Sequence, residues 1–291
     1  MSGYIQDYSI SKIPYFGTFD FFGIPLFDPA ALGWNGNKCY HPTVIIQYAL
    51  ACWERRDNGY IEDFLKCAKW VFENGAEGPN GAVVWYIPFP IRTPKIDAPW
   101  ISALTQSQAI SVLLRYNELK PNPELVNTAR AAIVPMMCTI DEGGLLYIHG
   151  EDYFFEEAGS IHILNGCLTS IFGISEYLDY ENDDEVASVV NKVVSTVEKW
   201  LSYYDTGYWS RYSKNLRFNL ADLHYHHVHY AQLNTLGFKL GSDIFLEYAR
   251  KWKQYSLSPR KVFRFQLSRF FSLNMMRVLT VFKLDNLKFR R

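Results

Sequence analysis

The run His224-x-His226-His227-x-His229 carries side chains that can ligate a metal. On a helix, His226 and His229 share one face, and Asp222 lies close by, which is a spacing that zinc sites use. A zinc site in a protein needs at least three protein ligands, however, and a third one is not apparent near these histidines. We therefore predict no metal at this cluster and expect His226 and His229 to act as hydrogen-bonding groups.

Apolar residues at helical spacing predict that such groups stand on or beside helices. The first pattern begins at Pro42, which suits the first turn of a helix, and continues to Trp53. Further helices are predicted near residues 60–74, 101–118, 123–137, 162–178, 184–203, 224–237 and 241–255. Two β-like runs, 82–87 and 144–149, each follow a glycine-containing turn and predict hairpins on one rim. The paired helices predict an all-α fold, an α/α barrel (toroid), with a helical bundle or solenoid as the alternative.

The two ends of the chain differ in composition from the rest. Residues 1–38 are rich in Gly, Pro and aromatic side chains, which predicts an irregular wrapping segment of a domain that spans 1–259. Residues 260–291 contain nine Lys or Arg and one acid, Asp285, so this tail has a net charge of +8. Apolar residues from Phe263 to Val281 alternate with arginines, which predicts a basic amphipathic helix that binds a membrane surface. A plain C-terminal helix packed on the barrel is the alternative.

Composition limits the class of protein. Of the 291 residues 48% are hydrophobic and 16% aromatic, which is enough for a sizeable core. The cysteines form an odd set without a close pair, so we predict buried, reduced thiols at Cys39, Cys52, Cys67, Cys138 and Cys167. The start of the chain lacks a secretory signal and no apolar run reaches about eighteen residues. The sequence therefore predicts a cytoplasmic protein, peripheral at the inner membrane if the tail binds there.

Four segments resemble the D-glucuronyl C5-epimerase family, in the family's order. They are 39–50 (CYHPTVIIQYAL), 102–111 (SALTQSQAIS), Phe155-Glu-Glu followed by Leu164-Asn-Gly, and Tyr204-Asp-Thr-Gly through Leu223-His-Tyr-His-His-Val-His-Tyr-Ala-Gln-Leu. The resemblance implies the family's C-terminal catalytic domain, an α/α barrel with an active-site cleft, and C5-epimerase activity on uronic acid residues of a glycan. Animal members have a β-rich region between the first two segments. Only residues 51–101 lie there in this chain, so that region and any metal site in it are missing.

Epimerisation at C5 removes the proton beside the uronate carboxylate and returns one from the opposite face of the ring. It needs two acid/base groups and a group that stabilises the negative intermediate. The resemblance assigns Glu157 and Tyr225 as the acid/base pair, and Tyr208 and Arg211 as the family's tyrosine-x-x-arginine element. Arg211 is expected to hold the carboxylate and to favour a phenolate, because a free tyrosine has a pKa of about 10.

The chain departs from the family beside the paired glutamates Glu156 and Glu157. The family has a tyrosine directly after this pair, whereas this chain has Ala158 and a shorter connection to Asn165. Three alternatives follow: Glu157 suffices with the tyrosine on the later helix, Tyr153 fills the gap, or the substrate has changed or activity has been lost. A solvated acidic turn before a helix is the non-catalytic interpretation of the pair.

Substrate and partners follow from the same resemblance. We predict substrate-binding roles for Glu156, Trp100, Gln106, Gln108, Asn165, His226 and His229. For the two glutamines the alternative is a structural role, as polar groups satisfied inside a helix-packed interior. The expected partner is an anionic polysaccharide or glycan, with a glycosyltransferase as a further partner of the 260–291 tail. We expect no cofactor and no nucleic acid, and a homodimer is left open.

The alternative function is that of a related uronate polysaccharide lyase or a catalytically weakened carbohydrate-binding protein. It is motivated by Ala158 in place of the family's tyrosine. A lyase shares the first proton abstraction with an epimerase and then expels the substituent at C4.

Overall fold

The structure is a computed structural model that describes residues 4–6, 8, 17–34, 36–91, 95–215 and 219–281, with the backbone alone for 31–32 and 272–281. This part of the chain is mostly helical, which confirms the predicted all-α class. Its nine α-helices are α1 (Pro42–Glu54), α2 (Ile61–Glu73), α3 (Ala103–Leu119), α4 (Pro123–Met137), α5 (Leu164–Leu178), α6 (Asp184–Tyr204), α7 (Leu223–Leu240), α8 (Asp243–Leu257) and α9 (Pro259–Val281). Two antiparallel strand pairs are β1 (Ala76–Glu77) with β2 (Val83–Val84) and β3 (Leu146–His149) with β4 (Asp152–Phe155).

The chain divides into two compact units, Met1–Lys199 and Trp200–Arg291. In the first unit α3 is central and packs against α1, α2, α4 and α5. Both α3, from Ala103 to Arg115, and α5, from Leu164 to Tyr177, are buried on every side. A helix that is buried all round lies inside the core, so its polar residues must find partners within the protein.

A glycine allows α5 to lie directly against α3. A Cβ atom added at Gly173 would be 2.3 Å from the carbonyl oxygen of Ser107 and 2.9 Å from the Ser107 Cβ. The nearest atom belongs to the backbone, so it cannot rotate away. The approach of the two central helices therefore depends on the missing side chain.

We expect Gly173→Ala to lower the free energy of unfolding by about 1–3 kcal/mol, because the methyl group pushes two packed helices apart. The intrinsic helix preference for Ala over Gly acts in the other direction, by up to about 1 kcal/mol. Urea unfolding measures the difference. Ser195→Ala on the exposed face of α6 is the control and should change stability by less than about 0.5 kcal/mol. A Gly173→Ala protein as stable as the wild type would contradict the close approach.

In the second unit α7 packs against α8, and α8 against α9. The predicted end of α7 near residue 237 is wrong: the helix continues to Leu240 and stops at Gly241, which has a left-handed φ of 68°. Gly237 lies inside the helix because α8 approaches there, and an added Cβ would be 2.7 Å from the Leu246 side chain. The next helix accordingly starts at Asp243, two residues later than predicted, after the Ser242 cap.

The predicted strand over 82–87 is shorter than expected. Only Val83 and Val84 pair with β1, because the next backbone N–H, that of Trp85, donates to the Gln106 side chain at 3.1 Å. The second predicted run forms β3 and its hairpin partner β4, with the turn at Gly150 in a left-handed conformation. This hairpin leads directly to the paired glutamates.

The remaining predictions concern the termini and the cysteines. In the described part of 1–38 the backbone is irregular, with a short 3-10 turn at Pro29–Leu32 and isolated bridges. All five cysteines are free, but Cys39 and Cys138 are half-buried, so full burial was wrong for these two. The predicted tail helix corresponds to α9, and residues 282–291 lie outside the described residues. No helix of the described chain is long and apolar enough to cross a bilayer.

Candidate functional site

The paired glutamates follow β4 and are held by their backbone. The N–H of Glu156 donates to the Leu145 carbonyl at 2.9 Å, and its carbonyl accepts from the Ala103 N–H at 3.1 Å. The pair is thus fixed to the start of the hairpin and to the first residue of α3. A solvated turn would not be tied in this way, so the local structure favours a positioned carboxylate pair.

The Glu156 side chain is buried and paired with His162. One carboxylate oxygen accepts from the backbone N–H of His162 at 3.1 Å, and the other contacts the Nδ1 atom of its ring. The ring is enclosed by Tyr147 and Phe154, at centroid distances of 4.5 and 5.3 Å. His162 holds this place with a positive φ of 53°, a conformation that is uncommon for a residue with a side chain. Burial raises the pKa of the Glu156 carboxyl, and the contacts with His162 offset this effect only in part.

Glu157 is half-buried and lies over the first turn of α5. A Cβ atom added at Gly166 would be 2.3 Å from its Oε2 atom, so the glycine provides the space for this carboxylate. The Asn165 side-chain amide donates to the same oxygen at 3.5 Å. Burial, and to a smaller extent the charge of Glu156, raises the pKa of Glu157 to about 7. A carboxyl group with that pKa can take up and release a proton near neutral pH.

This pKa predicts a change in stability with pH. The unfolded chain releases the Glu157 proton near pH 4.3, whereas the folded chain keeps it to about pH 7. The contribution of protonated Glu157 to the free energy of unfolding is therefore complete below about pH 4, and it is lost as the pH rises through 7. We expect the free energy of unfolding of the wild type, relative to Glu157→Gln, to fall by roughly 1–3 kcal/mol between pH 4.5 and 7.5.

Urea unfolding of both proteins at the two pH values measures this difference. Glu151→Gln, in the exposed turn of the β3–β4 hairpin, is the matched control, because an exposed carboxylate keeps most of its hydration when the chain folds. A wild-type protein that gains stability relative to Glu157→Gln over the same interval would show that Glu157 is ionised throughout.

A cavity of about 380 Å³ lies beside Glu156 in the first unit. Its wall is mostly apolar and aromatic, and it includes Tyr86 and the predicted Trp100. The Trp100 ring is fixed by a hydrogen bond from its Nε1 to the Phe89 carbonyl at 2.7 Å. Aromatic and apolar walls of this kind suit the flat faces of sugar rings.

The cavity also has a fixed negative charge, at Glu142. The Glu142 carboxylate accepts hydrogen bonds from the N–H and the hydroxyl of Thr139, at 2.9 and 2.7 Å, and these bonds lower its pKa. A carboxylate that is ionised at neutral pH therefore belongs to this wall.

The two glutamines of α3 make contacts of a structural kind. The Gln106 amide donates to the Val83 and Ala132 carbonyls, at 2.8 and 3.1 Å, and ties β2 and α4 to α3. The Gln108 amide donates to the Tyr8 hydroxyl at 2.6 Å and its carbonyl accepts from Gln47 at 3.3 Å. Both side chains are fully buried, which favours the structural alternative for this pair.

Tyr153, the alternative to the family's missing tyrosine, contacts α6. Its ring lies under the Lys192 ammonium group at 4.8 Å, and its N–H donates to the Thr196 hydroxyl at 2.8 Å. Both partners belong to α6. Ala158 itself is buried, with 5% of its surface exposed.

In the second unit Trp209 anchors the loop between α6 and α7. Its indole ring is stacked between the rings of His226 and Phe265, at centroid distances of 3.8 and 4.1 Å, and its Nε1 donates to the Ala221 carbonyl at 2.8 Å. At the start of the loop Asp205 forms an ion pair with Lys251 of α8 at 2.7 Å. These contacts hold the segment that carries Tyr208 and Arg211.

Tyr208 faces α9, the helix predicted as a separate tail. Its hydroxyl donates to the Ser268 hydroxyl at 3.1 Å, and the Arg264 guanidinium lies 4.2 Å from the centre of its ring. The cation over this ring is therefore Arg264 of α9. Sequence reasoning missed both α9 residues.

In the same unit Arg211 is held by hydrogen bonds, whereas Tyr225 packs against another aromatic ring. The Arg211 guanidinium donates to the Tyr203 carbonyl at 3.1 Å and to the Asn219 side chain at 3.5 Å. Tyr225 is half-buried, and its ring packs edge-on against Tyr212, the residue after Arg211, at 4.9 Å. Its N–H donates to the carboxylate of Asp222, the N-cap of α7, at 2.8 Å. The first turn of α7 therefore fixes the place of Tyr225.

His226 and His229 are fully buried around Ser210. The Ser210 Oγ contacts the Nδ1 atoms of both rings, at 2.8 and 2.9 Å, and His226 Nε2 lies 3.0 Å from the Trp252 carbonyl. Burial lowers the pKa of His226 to about 4 and that of His229 well below its usual value, so both rings stay neutral. These contacts favour a structural role. Among the described residues no group of three or more His, Cys, Asp or Glu side chains is arranged to hold a metal.

Comparison with known proteins identifies the same family as three of the four segments described in the sequence analysis. The family model described as "D-glucuronyl C5-epimerase C-terminus" matches residues 80–254, more than half of the chain. This range contains the glutamate pair, the Tyr208 loop and the start of α7, and it excludes the 39–50 segment.

Two relatives are 26% identical to this chain. One is the uncharacterized protein MJ1128 of Methanocaldococcus jannaschii, over 179 residues that make up 59% of this chain and 58% of the relative. The other is the D-glucuronyl C5-epimerase of Caenorhabditis elegans, over 234 residues that make up 71% of this chain and 37% of the relative. The matched part is thus less than two thirds of either relative's length.

Proposed function

We propose, since the chain belongs to the D-glucuronyl C5-epimerase C-terminus family, that it is an isomerase that epimerises uronic acid residues of a glycan at C5. The observation that carries this proposal is the Glu157 carboxyl, half-buried over Gly166 at the start of α5, with its pKa raised to about 7. It lies within the matched range and directly follows Glu156, whose buried carboxylate is paired with His162.

Glu157 is the first acid/base group of the proposed mechanism. Proton removal next to a carboxylate is slow because the carbon acid is weak, and a base with a pKa near the working pH is the most effective. Glu156 is held by backbone bonds and by His162, so Glu157 is presented in one orientation. Asn165 donates to the carboxylate that reacts, and can orient it.

Tyr225 is the proposed second acid/base group, and Arg211 the proposed partner of the uronate carboxylate. The first turn of α7 places the Tyr225 ring beside Tyr212, and the guanidinium of Arg211 is anchored on neutral oxygens. This guanidinium contacts neutral groups, including the Tyr203 ring at 5.2 Å, and its charge is proposed to pair with the anionic substrate. Tyr208, with Arg264 over its ring, is proposed to assist.

The proposed substrate is a uronate-containing polysaccharide or glycan, with sugars of the chain in the cavity of the first unit. Trp100 and Tyr86 offer flat apolar surfaces there, and Glu156 lies on the same wall. The buried residues Gln106 and Gln108 are proposed to act behind this surface, by fixing the elements of the first unit that carry it. His226 and His229 are proposed to support the Tyr208 loop of the second unit in the same way, through Ser210. We also propose the family's α/α barrel for the chain, supported in the first unit by fully buried α3 and α5 alternating with α4 and α6.

The test is incubation with uronate polymers in heavy water, without added nicotinamide or metal. Epimerisation places deuterium at C5 and gives the L-ido form of the sugar, both of which NMR detects. Absence of exchange with several such polymers would refute the proposal.

The same incubation distinguishes the alternative function, which Ala158 motivates. A lyase produces an unsaturated sugar that absorbs in the ultraviolet, and a binding protein shows affinity with neither exchange nor elimination. Either result would replace the epimerase assignment.

A further inference from the structure

The first half of α9 has two faces with different surroundings. The inner face carries Lys261, Phe265 and Ser268 and packs on the unit to which it belongs. Phe265 is 6% exposed and stacks on Trp209, and the Lys261 ammonium group lies 3.6 Å from the centre of the Tyr255 ring. In the part of α9 whose side chains are described, this face attaches the helix to its unit.

The outer face carries Phe263, Leu267, Phe270 and Phe271. Their spacing of four, three and one residues places them in one stripe, on the side of the helix away from Phe265. Their side chains are 61%, 43%, 62% and 67% exposed. Three exposed phenylalanines and a leucine on two turns form a contiguous apolar patch, which a soluble surface seldom presents without a partner.

The charges beside this patch are all positive. Arg260 and Arg269 are exposed on the same three turns, as is Arg264 over the Tyr208 ring, and the sequence from 259 to 281 contains no Asp or Glu. An apolar stripe between arginines matches the interface of an anionic membrane, where rings enter the acyl boundary and guanidinium groups meet phosphates. A second copy of this helix would bring arginines next to arginines, so self-association through this face is disfavoured.

We propose that the outer face of α9 lies on the surface of an anionic lipid bilayer. The helix rests parallel to the bilayer, with its inner face still packed on the protein. This proposal is independent of the epimerase activity, because none of the four outer residues belongs to the proposed catalytic group. It fits a protein that works on glycans attached to, or made at, a membrane.

The experiment is co-sedimentation of the full chain with vesicles of phosphatidylglycerol and phosphatidylcholine, compared with vesicles of phosphatidylcholine alone. We expect binding to the anionic vesicles that weakens as salt is added, because arginine–phosphate attraction is screened. The double variant Phe270→Ser/Phe271→Ser should weaken binding by about tenfold or more for each ring removed. The variant Arg260→Gln/Arg269→Gln should weaken it by about fivefold for each charge.

Phe238→Ser is the matched control, since Phe238 on α7 is 73% exposed and lies outside the patch. It should leave vesicle binding unchanged. Circular dichroism and thermal unfolding check that each variant folds, which is expected because the replaced rings are exposed.

Four results would overturn the proposal. They are failure of the folded wild type to bind anionic vesicles, equal loss of binding in Phe238→Ser, unchanged binding in Phe270→Ser/Phe271→Ser, and a dimer in solution that this double variant converts to a monomer. The third result would indicate attraction of the basic tail to any polyanion. The fourth would show that a second copy covers the face.

Discussion

Replacing Glu157 with Gln is expected to lower the rate of deuterium incorporation at C5 of a uronate polymer by about two to four orders of magnitude, the usual loss when a general base is removed. The amide is nearly isosteric with the carboxylate, so it keeps the place over Gly166 but cannot take up the proton. In the wild type the rate should rise as the pH passes through 7, because the ionised form of Glu157 is the one that abstracts. NMR of the polymer after incubation in heavy water measures both quantities.

The control for this substitution is Glu151→Gln, which makes the same chemical change in the exposed hairpin turn. It should retain the wild-type rate. Glu157→Gln should also remain folded. Between pH 4.5 and pH 7.5 its free energy of unfolding should fall by less than that of the wild type. A folded Glu157→Gln protein with the wild-type exchange rate would remove Glu157 from the mechanism and leave the family assignment intact.

The Glu157→Gln variant also tests the lyase alternative that Ala158 motivates. The family's tyrosine is absent and the Tyr153 ring packs under Lys192, so Glu157 is the proposed acid/base group at this position. If Ala158 marks a change of chemistry, Glu157→Gln should abolish ultraviolet-absorbing product in place of exchange. Loss of either product in this variant points to the same first step, the removal of the C5 proton.

The helices could be predicted from sequence because their signals are local. Pro42 and Asn122 start helices where the pattern of apolar residues begins, and the Asn122 side chain caps α4 by accepting from Glu124. Glycines were harder to interpret. Gly237 and Gly241 have the same residue type, but one is required for the packing of α8 and the other for a left-handed helix end. Only tertiary contacts distinguish the two.

The candidate site could be predicted only where a family motif carried it. The resemblance identified Glu157 and the Asn165–Gly166 turn, and the structure places them in contact. It could not identify His162, whose importance depends on a positive φ and on a buried partner, Glu156, six residues earlier. Arg264 and Ser268 were missed for a similar reason, since they meet Tyr208 from more than fifty residues away along the chain.

The limit of predicting a residue's role from sequence is clearest for the polar residues in helices. Gln106 and Gln108 stand on a helix of the matched family segment, and by residue type they are as suited to bind a sugar as to bind the backbone. Burial and hydrogen bonds to Val83, Ala132 and Tyr8 favour the second role. A sequence pattern contains no information on which groups a buried amide will meet, because its partners come from other elements.

The largest expected effect on stability concerns Arg115, which sequence reasoning did not single out. Its guanidinium makes two hydrogen bonds of 2.8 Å to the two carboxylate oxygens of Glu176, and it joins α3 to α5 in the core. The side chains are 0% and 6% exposed. Removing one partner of a buried pair leaves the other charge without solvent or counterion, so Arg115→Leu is expected to lower the free energy of unfolding by about 3–5 kcal/mol.

Urea unfolding of Arg115→Leu, Glu176→Leu and the double variant tests whether the pair or its packing matters. Each single variant leaves one buried charge, whereas the double variant leaves none, and replacing both partners by apolar residues of similar volume is often close to neutral. We therefore expect the double variant to recover most of the stability that either single variant loses. Lys69→Met breaks the exposed pair with Glu73 on α2 and should cost no more than about 0.5 kcal/mol. The contrary result is a double variant whose loss of free energy of unfolding equals the sum of the two single losses. It would show that the two side chains act independently. The contact between α3 and α5 would then depend on apolar packing and on the space left at Gly173, without help from this ion pair.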